Sequence, residues 1–178
     1  SPLSNADKTK LAKVLDDMRA GRMSKARSVL EEMATKYPSD TSLLYNLAVS
    51  EAHDATLPKG KQRSRDRLEK LVATHPAYLF AKAQLARELM SEGQLERAKE
   101  ILVLPEGVKR FHIGNYSAFM AAQGQLSLAQ GDKEHAEKIL DMLEEMVGED
   151  DSSYRILEQE LNRDNVAMLG KLGNIFKR

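Results

Sequence analysis

Three times along this chain a glycine is followed five residues later by an alanine and four residues after that by a leucine: Gly21, Ala26 and Leu30; Gly93, Ala98 and Leu102; Gly131, Ala136 and Leu140. This recurrence constrains the fold more than composition does, because a short repeated unit cannot bury its own apolar face and must stack on its neighbours. Around each copy the apolar residues keep the helical period, as with Leu85 and Leu89 before Gly93 and Leu95, Ala98 and Leu102 after it. Glycine takes the left-handed conformation of a helix C-terminus without steric cost, so it ends one helix, and Gln94 or Asp132 opens the next. The alanine one turn further on is small enough for two helices to cross closely. Each copy therefore predicts a helical hairpin. A fourth unit follows from a second echo, in which Ala26, Leu30, Met33 and Pro38 return as Ser64, Leu68, Leu71 and Pro76. The prolines stop a helix because they lack an amide hydrogen and clash with the preceding turn.

These positions resemble the tetratricopeptide repeat, a helix-turn-helix unit of about 34 residues. The third unit carries Leu85, Ala86, Leu89, Gly93, Ala98 and Leu102 at the family's spacing. The fourth carries Gly124, Gly131, Ala136, Leu140 and Leu143, and the second holds LLYNLAV at 43–49 with Leu47 and Ala48 in the paired places. The resemblance implies an all-α fold: a right-handed superhelical α-solenoid of antiparallel helix pairs. The four repeats would span about 7–38, 39–76, 77–110 and 113–147, after an N-terminal tail over 1–6 and before a capping helix or helices over 148–178. Two departures are visible. HDATLPKGKQRS makes the second unit longer than the family's, and Pro105 cuts short the second helix of the third unit, leaving EGVKRFHIGNY as a connector.

Composition narrows the function classes. Charged residues make up 30% of the chain, yet the formal net charge is +0, so neither nucleic acid nor an anionic membrane is attracted in bulk. There is no cysteine, which removes disulfides, thiolate catalysis and cysteine-bearing zinc sites. That absence fits a reducing or an oxidising compartment; the cytoplasm is the working expectation, with periplasm or secretion open. No apolar run approaches the ~18 residues that cross a bilayer. The opening SPLSNADK, without methionine, reads as a processed chain or a segment excised from a larger protein.

Catalytic and metal-binding patterns are not found. His53, His75, His112 and His135 include no pair one helical turn apart, so no metal or other cofactor is expected. Gly60-Lys61 lacks the first glycine and the Ser or Thr of a phosphate loop. Lys59, Lys61, Arg63, Arg65 and Arg67 form the one local charge concentration. On a helix, Lys59, Arg63 and Arg67 would share a face, a comb for phosphates or an acidic peptide. Asp66 and Glu69 interrupt it, and no aromatic is interleaved for base stacking, so nucleic acid is not the expected partner.

The chain is therefore read as non-enzymatic, a scaffold or adaptor that binds a protein or peptide on the concave side of its array. By the family's spacing that side carries Tyr45, Asn46, Val49 and His53 in the second unit, Phe80, Gln84 and Arg87 in the third and Gln125 in the fourth. Aromatics supply contact area, amides pair with an extended main chain and arginine holds a carboxylate. Chaperone-binding members of the family clamp a terminal carboxylate; Asn46 fits one clamp place, but Leu11, Leu15, Phe80 and Gln84 occupy others, so that role is not carried over. The alternatives are a regulatory or substrate-docking domain of a larger enzyme, and an acidic-partner or RNA contact through 59–67. Beyond Gly148, Tyr154, Leu157 and Leu161 share one face, and Val166, Leu169 and Phe176 lie near one stripe interrupted by Gly170 and Gly173. The expected role of this tail is a cap, with an oligomer contact or a membrane-surface helix as the other readings.

Overall fold

The computed structural model describes residues 2–175, and within them the regular structure is entirely helical. The helices are α1 (Asn5–Arg19), α2 (Met23–Lys36), α3 (Thr41–His53), α4 (Gly60–Thr74), α5 (Leu79–Ser91), α6 (Leu95–Ile101), α7 (Ile113–Ala129), α8 (Lys133–Val147) and α9 (Ser152–Ile175). None is long and apolar enough to cross a membrane. The segment expected as a tail over 1–6 already contains the start of α1, because the Ser4 hydroxyl accepts from the Asp7 amide and caps the helix.

The repeated glycines make three near-identical corners. Gly21, Gly93 and Gly131 have φ of 78°, 76° and 83°. At each, the glycine amide bonds to a carbonyl three residues back and the next amide to one five residues back: Arg22 to Asp17, Gln94 to Leu89 and Asp132 to Ser127. This doubly bonded ending satisfies the last carbonyls of the first helix and needs a left-handed residue at its centre. The alanines that follow, Ala26, Ala98 and Ala136, are fully buried, and Ser64 holds the corresponding place in α4. Asp132 caps α8 by accepting from the His135 amide, whereas Gln94 makes no side-chain cap on the seven-residue α6.

The chain forms two compact units, Ser1–Ala81 and Lys82–Arg178. In the first, α1 packs on α2, α2 on α3 and α3 on α4. Lys10 of α1 pairs with Glu32 of α2, and Asp7 with Lys36, so the start of one helix meets the end of the other in an antiparallel hairpin. Val14, Leu30, Met33, Leu43 and Leu47 build its core, each nearly or fully excluded from water at ~1.5 to 3 kcal/mol of transfer free energy per side chain.

In the second unit α7 packs on α8, and α9 lies against both. Ser153 bonds to Ser117, Leu157 closes on Gly124 and Gln125 bonds to Glu160, so α9 runs beside α7 in the same direction. A Cβ at Gly124 would stand 2.5 Å from a Leu157 methyl, so any larger residue at this crossing would force Leu157 to shift. Ile139, Leu143, Tyr154, Leu157 and Leu161 fill the interior. The tail expected to cap the array is thus one continuous helix as far as Ile175. Its first half packs, while Val166 and Leu169 on the second half are exposed. Phe176, with Lys177 and Arg178, lies outside the described residues.

Candidate functional site

In the first unit, α3 carries Tyr45, Asn46 and Val49 half-buried on its surface, with His53 exposed at its end. The ring of Tyr45 meets two others supplied by the stretch that opens α5. Its centroid is 5.9 Å from Tyr78 and 5.8 Å from Phe80, and Tyr78 and Phe80 are themselves 5.8 Å apart. Tyr45 and Tyr78 meet edge to face at 66°, the geometry their opposed edge and face charges favour. All three residues are half-buried, so part of the cluster's surface is left to solvent. Burial pushes the Tyr78 hydroxyl well above the usual tyrosine range, with the neighbouring Tyr45 adding to the effect. Tyr78 was not singled out by spacing; the signal that could have found it is local, two aromatics two residues apart after Pro76.

The amides behave differently from free groove donors. Asn46 donates to the Ser42 carbonyl of its own helix at 2.8 Å. In the second unit, Arg87 donates through Nε to the Gln125 side-chain oxygen at 2.7 Å and through its terminal nitrogen to the Ala118 carbonyl. Gln125, itself buried, donates to Glu160 at 2.6 Å. Arg87, Gln125 and Glu160 therefore form a chain that ties α5, α7 and α9 together. Gln84 is half-buried and reaches Glu88.

Two arginines of the basic run are similarly engaged within the unit. Lys59 sits in the left-handed turn that starts α4, with Lys61 exposed beside it. Arg67 grips the carboxylate of Glu51 with two hydrogen bonds, at 2.8 and 3.1 Å, and Arg63 stands 3.7 Å from both Glu51 and Glu31. Glu51 is fully buried, and no carboxylate can be kept there ionised without such partners. Arg27 continues the network by bonding to Glu31 and Asp54. The Thr56 hydroxyl and then Arg27 hold the Asp54 carboxyl below its usual range. Arg65 is half-buried on α4.

An open cavity of about 410 Å³ lies where the first corner meets the end of α3, lined by Arg22, Lys25, His53 and Thr56. Its two cations are committed to Asp17, whose carboxyl they hold below the usual range, Arg22 first and Lys25 second. Among the described residues no three His, Asp or Glu side chains are grouped to hold a metal. Comparison with protein-family models, with curated proteins and with solved structures finds no match to this chain.

Proposed function

We propose that this chain is a non-enzymatic interaction module that takes up a peptide or protein segment, with the Tyr45, Tyr78 and Phe80 cluster as its contact surface in the first unit. The observation that carries the reading is the ring geometry: three half-buried aromatic side chains at mutual distances of 5.8 to 5.9 Å, already packed on one another. Rings fixed by one another lose little rotamer entropy when a partner lands on them, which is why aromatic clusters dominate binding surfaces. We further propose that the hairpins are repeats of the tetratricopeptide kind, which in that family stack into a right-handed solenoid. The three similarly bonded glycine corners and their buried alanines support it.

The same side chains refine the expected surface. Asn46, Arg87 and Gln125 hold the scaffold in place, and Arg63 and Arg67 neutralise Glu51, so the weight of recognition in this reading moves to the rings and to Val49. The test is to place a photo-crosslinking phenylalanine analogue at position 45 or 80 and irradiate in lysate. Defined adducts at both positions, absent when the analogue replaces the exposed Lys13, are expected. Labelling no stronger than at position 13 would overturn the assignment.

A further inference from the structure

We propose that the projecting end of α9 pairs with the same segment of a second copy of this chain, as an antiparallel two-fold contact centred on Met168. The argument starts from where α9 outruns its support. With Ser117 beside Ser153 and Gln125 beside Glu160, the last residue of α7, Ala129, comes level with Asp164. Lys133, the first residue of α8, bonds to Asn165. Among the described residues, α9 is exposed throughout beyond that point, yet the helix continues to Ile175, about 15 Å further at 1.5 Å per residue.

The apolar stripe does not stop with the support. Tyr154, Leu157 and Leu161, exposed by 8%, 0% and 4%, are followed at the same helical phase by Met168, Leu172 and Ile175, exposed by 50%, 44% and 66%. Leu169 widens the stripe at 67%. The face that seats α9 on its own hairpin thus continues, uncovered, past the hairpin's end.

The charges flanking the stripe point to a second copy. Asp164 and Lys171 are seven residues apart, so they lie on the same flank, and both are exposed. No ion pair within the chain engages either among the described residues. In an antiparallel helix pair related by a two-fold axis, each flank faces the same flank of the other helix with the sequence reversed. Asp164 of each copy then meets Lys171 of the other, and the axis falls beside Met168. The opposed helix dipoles add to the preference for this orientation. A formal net charge of +0 means that two copies approach without long-range repulsion. Only about two turns of each helix need touch, so a crossing near the common ~50° keeps the flanking helices clear. So short a contact buries less than the ~1,600 Å² of a standard interface, so association in the micromolar range is expected.

Sedimentation equilibrium of the full chain between about 5 and 300 µM tests this, with far-UV melting as a check that each variant folds. The wild type is expected to shift from monomer to dimer across the range. Leu169→Asp with Leu172→Asp should hold it monomeric without lowering the melting temperature, because neither side chain packs within the unit. Asp164→Lys should weaken dimerisation by about three- to tenfold, the scale of two exposed ion pairs lost, and Lys171→Asp added to it should restore most of that loss. A wild type that stays monomeric, a dimer indifferent to the two aspartates, or a charge swap that fails to rescue would each overturn the proposal. So would a monomer that instead pellets with vesicles containing 30% phosphatidylserine, which would assign the stripe to a membrane surface.

Discussion

Glu51 has no solvent exposure, and its carboxylate is matched in α3 by Arg67, which grips both of its oxygens, while Arg63 adds a longer contact. The arginines are 30% and 47% exposed, so the pair is less costly to form than one with both members buried. Glu51→Leu is expected to destabilise the chain by about 2 kcal/mol, below the range for a fully buried pair, since Arg67 keeps part of its hydration. Adding Arg67→Leu should recover most of that loss, and urea denaturation of the two single variants and the double variant measures the coupling. The sequence shows Arg63 and Arg67 as a comb on one face of α4, but the carboxylate they reach is on another helix, 16 residues from Arg67. Periodicity places side chains on faces; it does not say which faces meet. Tyr45, Tyr78 and Phe80 illustrate the same limit: two of the three were legible as surface candidates, and their convergence appears only once α3 and the start of α5 are side by side.

At the scale of single elements the sequence was more informative. The corners at Gly21, Gly93 and Gly131, the short α6 before Pro105 and the start of α7 at Ile113 all follow from local chemistry that acts within a few residues. Gly60 is the counter-example. Its dipeptide with Lys61 suggests nothing useful alone, yet a Cβ there would lie 2.3 Å from the Glu51 carbonyl oxygen. The glycine therefore sets how closely the first turn of α4 approaches the end of α3, and with it the reach of Arg63 and Arg67. Gly60→Ala is expected to cost about 1 to 3 kcal/mol, the range for overpacking against a backbone that cannot yield. Its urea midpoint should fall accordingly, and the bidentate grip on Glu51 should loosen with it. The second half of α9 lies between these cases: its apolar stripe is plain in the sequence, but whether a stripe is covered depends on the length of its neighbours.

At the scale of the molecule the all-helical fold and the final helix were legible, and the division between Ala81 and Lys82 was not, since it falls inside α5. The two units differ in which groups the fold shifts. Among the described residues, every carboxyl held below its usual range lies in the first unit: Asp7 through Lys36, Ser4 and Tyr37, Asp17 through Arg22 and Lys25, and Asp54 through Thr56 and Arg27. For each, the unfolded chain takes up a proton before the folded one, so the stability they confer is present above about pH 4 and is lost as the pH falls below it. In the second unit, burial holds the Lys82 ammonium below its usual 10.5, so the folded form is penalised while protonated and gains stability as the pH rises toward that value. Hydrogen exchange followed by mass spectrometry from pH 7 to 3 should show residues 5–74 losing protection before residues 113–161. Simultaneous loss would show that the first unit's carboxylates do not set its acid limit.

The connector between α6 and α7 is fastened at its beginning, where Gln123 bonds to the Leu102 carbonyl and Lys82 to that of Val103, and at its end, where Phe111 stacks on Tyr116; between them, residues 106–110 are exposed. Such a segment can change length without shifting any helix, so variation in this chain's size has a natural place to accumulate. The loop from Asp54 to Lys59 has no such latitude. Its far end delivers Gly60 against Glu51, and a single inserted residue there would turn the next helix by about 100°. Two connections of similar appearance in the sequence therefore differ in their freedom to evolve, one a slack joint and the other a gauge block.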